Sequence, residues 1–327
     1  MYLCIQDADG NSLYHKNLPT SQTAFKSAVN PYLEDLAVAV ECVFCWYWIA
    51  DLCSDMGITF VLGHALYMKA IHGGKTKNDK IDSEKIASLL RAKMLPLAHV
   101  CRKEIRTTRD LLRRRMYFVH HQSELMAHIQ NTNTQHNMPT FEKRLDCASN
   151  RTNLGDHYSD PMVCTTVEMD SQMLTAYHQV ILKIEQEVLS KARSHDPVGL
   201  ALLKTVPGIG KTLALVILLE IDDIHRFPSV GNFLSYCRLV KPQHESAGKK
   251  QEAKNSKIGN VYLRWAFGEA ACLFLRGNDR AKKLHERLIS KYNRPKAMTL
   301  LAQKIGRAVY SILKHRRPFN PEIFFQE

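Results

Sequence analysis

Long apolar runs are missing from this sequence. No stretch reaches the roughly 18–20 uninterrupted apolar residues that a membrane-spanning helix needs. The nearest, "DLAVAVECVFCWYWIADLC", is interrupted by acidic residues. The N-terminus shows no basic region followed by an apolar stretch, so no signal peptide is expected. No internal repeat or low-complexity tract occurs, which sets repeat architectures aside. The nine cysteines form no paired framework and read as reduced thiols of a cytoplasmic protein. "CVFC", Cys42 to Cys45, has zinc-ligand spacing but no second pair. Both are expected to be buried small hydrophobes rather than metal ligands.

Acidic residues are the other shortage. The chain carries 45 Lys+Arg against 32 Asp+Glu, a net charge of +13, and the excess is uneven. Residues 201–327 hold 23 basic against 10 acidic side chains, whereas residues 1–200 balance at 22 of each. Within that neutral part, residues 64–120 hold 14 basic against 5 acidic. Two basic zones favour a polyanionic partner, most simply DNA or RNA. A basic soluble protein without such a partner is the plain alternative.

What is present suits a globular chain of two or three domains, with 327 residues and 45% hydrophobic content. "MYLCIQDADGNSLYHKNLP" reads as strand, turn, strand, with "ADGN" as the turn. Residues 20–35 read as helix, "LAVAVE" as a buried strand, "CWYWIADLCSDMG" as a helix closed by Gly57, and "ITFVLG" as a strand. This alternation predicts an α/β sheet domain. Ser83 is expected to cap the helix "EKIASLLRAKM". Residues 102–130 and 168–193 predict two long helices paired antiparallel, with a loop or insertion at 131–165. From residue 203 the pattern predicts an all-α region.

Three clusters can carry chemistry. "GIGKT", Gly208 to Thr212, lacks the earlier glycine of a phosphate-binding Walker loop, because position 205 is threonine. It reads instead as a helix-hairpin-helix turn whose amides at Gly208, Gly210 and Lys211 face a DNA phosphate, or as a purely structural turn. Ser246 lies in a Gly- and Lys-containing loop before a helix, followed by Lys249, Lys250, Lys254, Lys257 and Arg264. Such cations suit a phosphate electrophile for an activated serine, though a loop residue or helix cap has the same look. Glu41 closes a predicted strand, and Asp79 and Asp82, three apart, sit at a helix entrance. They can converge on Mg²⁺, or the aspartates can simply favour the helix dipole.

In order along the chain stand "VE" with a following "WYW", "KTKNDKIDSEKIASLL", "LRRR", "TVPGIGKTLALVILLEIDDIHRFPSVGNFLSYCRLV", "ESAGKK" and "KIGNVYLRWAFGEAA". This set resembles the DEDD-type insertion-sequence transposases, the IS110 family, over nearly the whole chain. The resemblance implies an α/β plus α architecture: a RuvC-like, RNase H-type domain at 1–100, a helical coiled-coil connector at 101–195 and a helical transposase domain at 196–327. It implies a DNA transposase of a bacterial cytoplasm that acts through a serine nucleophile at Ser246 and an Asp-Glu-Asp-Asp set holding Mg²⁺. Glu41, Asp79 and Asp82 match the last three of that set. It also implies DNA and a structured guide RNA as partners, and a homo-oligomer, dimer or tetramer. The family's first Asp ends a strand preceding the segment that resembles "MYLCIQD". Asp7 lies on a later strand, so the first ligand and its strand are expected to be missing and the chain inactive as written. A RuvC-like metal-dependent nuclease and an inactive nucleic-acid-binding remnant are the rival expectations.

Overall fold

The computed structural model describes residues 1–43, 45–71, 78–241, 243–246, 249–252 and 258–326. They fall into two compact units, Met1–Lys103 and Glu104–Glu327.

The first unit opens with the expected hairpin. Strands β1 (Tyr2–Gln6) and β2 (Ser12–Asn17) pair antiparallel from Tyr2↔Asn17 to Gln6↔Ser12. Asp7 fixes the turn by accepting from the Asn11 backbone N–H at 2.8 Å and from Asn11 Nδ2 at 2.9 Å. Those hydrogen bonds hold its carboxyl below the usual range, so Asp7 is committed to the turn. Helix α1 (Gln22–Val29) starts at Ser21, whose Oγ accepts from Ala24 N, and passes into a 3₁₀ turn at Asn30–Tyr32, where Pro31 sits. Strand β3 (Ala37–Glu41), helix α2 (Trp46–Asp55) and strand β4 (Thr59–Gly63) form a parallel β-α-β unit, paired from Ala37↔Thr59 to Glu41↔Gly63. Gly57, at φ +69°, makes the turn out of α2 that a side chain would strain. Helix α3 (Ala65–Ile71) follows, then α4 (Asp79–Arg91).

The strand pairs β1–β2 and β3–β4 are separate sheets but share one apolar core. Phe25, Val29, Val38, Ile49, Leu52, Cys53 and Ile58 are buried there, and Leu3 of β1 packs against them. The thiols of the "CVFC" motif behave otherwise than expected: Cys42 is exposed and Cys45 half-buried. The buried thiols are Cys53, Cys101 and Cys237.

The second unit begins with two long helices, α5 (Lys103–Gln135) and α6 (Pro161–His195). They run antiparallel, because contacts that ascend one descend the other. Arg115 Nε meets Glu185 at 2.8 Å, Phe118 and His121 meet the Tyr177 ring, and His128 Nδ1 meets Asp170 at 2.5 Å. The connection between them is better packed than its polar sequence implied. Leu145, Leu154 and Tyr158 are buried with Ile129 of α5 and with Val167 and Leu174 of α6.

Helices α7 (Pro197–Leu203), α8 (Lys211–Ile221) and α9 (Val230–Tyr236) come next. Every residue of α8 from Leu213 to Ile221 is buried, so it is the central helix of this unit. The region is not purely helical. Gln243–Ser246 and Lys249–Glu252 form antiparallel strands β5 and β6, which corrects the all-α expectation. Polar residues alternating with no apolar period hid this hairpin. Helices α10 (Val261–Phe274), α11 (Asp279–Lys291), α12 (Arg294–His315) and α13 (Pro321–Phe325) complete the chain. Phe233, Phe267 and Phe274 anchor the core among α8, α9, α10 and α12. Among the described residues, no helix is long and apolar enough to cross a membrane.

Candidate active site

The sequence-derived residues fall in both units, and each part is described in turn. In the first unit, Glu41 ends β3 in register with Gly63 of β4. A parallel strand pair opens its ligand-binding edge at these carboxyl ends. His64 follows on the same edge. Burial pushes its imidazole pKa down, which favours the neutral ring, and its Nδ1 is buried without a hydrogen-bond partner. Sequence reasoning missed His64, which had no motif around it.

Asp79 and Asp82 occupy the first turn of α4. The cap is Asn78, whose Oδ1 accepts from Ile81 N at 2.8 Å. Ser83 is therefore not the cap; its hydroxyl donates to the Lys80 carbonyl at 2.8 Å within the turn. The helix starts earlier than expected because Asn78 is as good a cap as serine, and two aspartates then favour the dipole. His15 of β2 holds this turn in place, with Nε2 at 3.0 Å from the Lys80 carbonyl and 3.2 Å from Ser83 Oγ. At the other end, Arg91 donates to the Ala8 carbonyl at 3.2 Å. The acidic end of α4 thus lies toward the open end of the hairpin.

These three carboxylates are hard oxygen donors of the kind that bind divalent cations. Among the described residues, however, no three His, Cys, Asp or Glu side chains gather as a metal site. The donor chemistry of the set suits a divalent cation, and no reaction step is derived through one.

In the second unit, Ser246 ends β5 and pairs in register with Lys249, the first residue of β6. Glu245 pairs with Lys250. Lys254 and Lys257 lie outside the described residues. The base of this excursion is closed firmly. Asn260 N donates to the Tyr236 carbonyl at 2.6 Å, and Arg238 Nε donates to the Gly259 carbonyl at 2.9 Å. Gly259 has φ +97°, and a β-carbon there would stand 2.6 Å from the Tyr236 oxygen. Only glycine lets the two ends approach this closely. Arg264 is exposed one turn into α10, near enough to Arg238 to disfavour that guanidinium's charge, after burial has already done so.

Beneath this base lies a polar network that the sequence did not disclose. Glu220 of α8 is 3% exposed. Arg113 of α5 grips it with two hydrogen bonds, Nε to Oε1 at 2.6 Å and Nη2 to Oε2 at 2.7 Å. Asn260 Nδ2 adds a third to Oε2 at 2.7 Å. Burial pushes the Arg113 guanidinium pKa down, but the hydrogen bonds and charge of Glu220 outweigh it, so the net shift is upward. Asn260 also caps α10, with Oδ1 accepting from Tyr262 N and Leu263 N, and the Tyr262 ring stacks on Arg113 at 4.7 Å. The signal available in sequence was a lone charge, Glu220, inside the apolar run "LALVILLEI".

The "PGIG" turn connects α7 to α8. Gly208 has φ +83°, and a β-carbon would fall 2.6 Å from Phe274 N and 2.9 Å from the Ala270 oxygen of α10. Close packing accounts for this glycine without any ligand. Gly210 is open, caps α8 without a side chain and precedes the exposed Lys211.

Two family models match in chain order. One, described as a transposase of the DEDD IS110 type, matches residues 1–138, which include Glu41, Asp79 and Asp82. The other, described as the transposase IS116/IS110/IS902 family, matches residues 200–286, which include Gly208, Ser246 and Arg264. The chain belongs to the IS110 transposase family. A curated relative is the transposase for insertion sequence element IS1111A of Coxiella burnetii (strain RSA 493 / Nine Mile phase I). It is 26% identical over 139 residues, or 41% of this chain. That match spans only 38% of the relative's length.

Proposed function

We propose that this IS110-family chain is a DNA transposase, a recombinase that cuts and rejoins DNA through Ser246. What supports the reading is the closed base of the Ser246 excursion, held by Asn260, Tyr236 and Arg238 over the Arg113–Glu220 pair. A covalent step needs a nucleophile fixed against the backbone it attacks, and a clasped base provides that constraint.

In the proposed step the Ser246 hydroxyl oxygen bonds to a DNA phosphorus. The phosphorus–oxygen bond to the next nucleotide breaks, and that oxygen leaves as a hydroxyl with the proton that serine gives up. A hydroxyl of a second DNA end then attacks the phosphoserine ester, which rejoins DNA and restores the serine. Lys249, Lys250, Lys257 and Arg264 offset charge on the phosphate, and Gly210 and Lys211 at the start of α8 hold the backbone. Glu41, Asp79 and Asp82 are proposed as residues that would hold Mg²⁺. Bound Mg²⁺ would supply charge stabilisation at phosphate oxygens.

The strand pairs β1–β2 and β3–β4, with their connecting helices, fit a RuvC-like, RNase H-type domain. Helices α5 and α6 fit a coiled-coil connector, and the α7–α8 turn a helix-hairpin-helix. The proposed partners are DNA, a structured guide RNA and further copies of the chain, as a dimer or tetramer. The test is a denaturation-resistant protein–DNA adduct from the full chain with Mg²⁺. Ser246→Ala should lose the adduct and keep DNA binding. An equally abundant adduct from the variant overturns the assignment.

A further inference from the structure

Along α12, Gln303, Arg307, Ser311 and His315 recur every four residues and share one face. That face spans about 18 Å, the length of several phosphates along a strand. After Arg316 turns into the left-handed region at φ 54°, the tail folds back and buries Phe324 against Phe274 of α10. Between the face and the tail lies a cleft of about 1220 Å³. It lies beyond the residues matched by either family model.

The charges around this cleft are sorted. Arg316 is taken up by Asp196 at 2.7 and 2.9 Å, and Arg280 by Glu322 at 2.6 Å. Arg307 and Arg317 are exposed and line the cleft, and neither forms an ion pair among the described residues. Lys304 lines it as well, with Nζ 5.4 Å from the Phe324 ring. No carboxylate stands among the described lining residues. Exposed guanidinium groups such as those of Arg307 and Arg317 focus field on a polyanion. The opposite wall is apolar, with Phe319 half-buried and Ile323 68% exposed. A duplex hides its base faces, whereas a single strand offers both phosphates and faces, and this pairing of walls suits the latter.

We propose that this cleft is a separate nucleic-acid site that holds a single strand by its phosphates and by the faces of unstacked bases. The proposal rests on the reading of the chain as a nucleic-acid enzyme. That reading is tested by the Ser246 adduct, in which Arg307 and Arg317 take no part.

The experiment measures binding of fluorescein-labelled single strands, one DNA and one RNA of the same sequence, to the full chain over a range of salt. Arg307→Gln/Arg317→Gln is compared with Lys283→Gln/Lys291→Gln, which removes the same charge from exposed positions of α11. Thermal unfolding checks that both variants fold. For two lost phosphate contacts, the slope of log affinity against log salt should flatten by about 1.4 in the cleft variant and by much less in the α11 variant. The strand bound more tightly by the unmodified chain identifies the source, and equal binding supports readout of the shared backbone. Equal slopes for the two variants, or binding of duplex alone, overturn the proposal while leaving the Ser246 adduct intact.

Discussion

Glu220→Gln removes one charge from the centre of the second unit and leaves its shape almost unchanged. The carboxylate accepts three hydrogen bonds, two from Arg113 and one from Asn260. The amide keeps one acceptor oxygen and turns two hydrogens toward groups that also donate. Removing one partner of a buried ion pair costs about 3–5 kcal/mol. The Arg113 side chain is 31% exposed and regains some water, which puts the cost at about 3 kcal/mol. For a unit of this size that corresponds to a fall in Tm of about 6–12 °C. Replacing both charges, as Arg113→Met/Glu220→Leu, should recover most of the loss, because apolar substitutes leave no unpaired buried charge. The assay is thermal and urea unfolding of the wild type, both single variants and the double variant. Because Asn260 closes the base of the Ser246 segment, the same substitution should reduce adduct formation more than DNA binding. A Tm shift under about 2 °C for Glu220→Gln, on the same scaling, would refute the reasoning, since the pair would then be solvated.

Other perturbations have defined outcomes. Gly208→Ala should cost more than the roughly 1–3 kcal/mol of a strained backbone alone, because its β-carbon also meets the backbone of α10; urea unfolding measures it. Asp79→Asn and Asp82→Asn should each abolish Mg²⁺-dependent activity while changing stability by only about 0.3–1 kcal/mol, as first-turn acids on α4. Replacing Lys249, Lys250 and Lys257 with Gln should flatten the salt dependence of DNA binding, and an unchanged slope would make them a solvated surface. At Asp196, burial raises the carboxyl pKa but the hydrogen bonds from Arg316 and Gly199 outweigh it, leaving it lowered. Its stabilisation is therefore present above the unfolded value near 3.9 and is lost as pH falls through the lower folded value. The stability gap between wild type and Asp196→Asn should close on acidification through that window.

Much of the first unit was legible because its signals are local. "ADGN" supplies turn chemistry, "AVAVE" and "TFVLG" are apolar runs of strand length, and Gly57 ends α2. Local signals also misled. Ser83 and Asn78 are both good caps, and only the hydrogen bond from Ile81 N to Asn78 Oδ1 shows which turn begins α4. The hairpin β5–β6 carries no apolar alternation, so its pairing could not be read from "QHES" and "KKQE". Pairs distant in sequence were invisible: Arg113 and Glu220 stand 107 residues apart, and nothing in either segment names the other. Gly208 marked a turn in the sequence, but not that the backbone of α10 requires glycine there, and the need for glycine at 259 emerges only from its approach to the Tyr236 carbonyl.

The central claim is that Ser246 becomes joined to DNA. The direct measurement is peptide mass spectrometry of a nuclease-trimmed adduct, prepared from the full chain with DNA and Mg²⁺. The account predicts a nucleotide mass on the peptide containing Ser246 and on no other. Strand cleavage without any protein-linked nucleotide, or a nucleotide on a different residue, would contradict it.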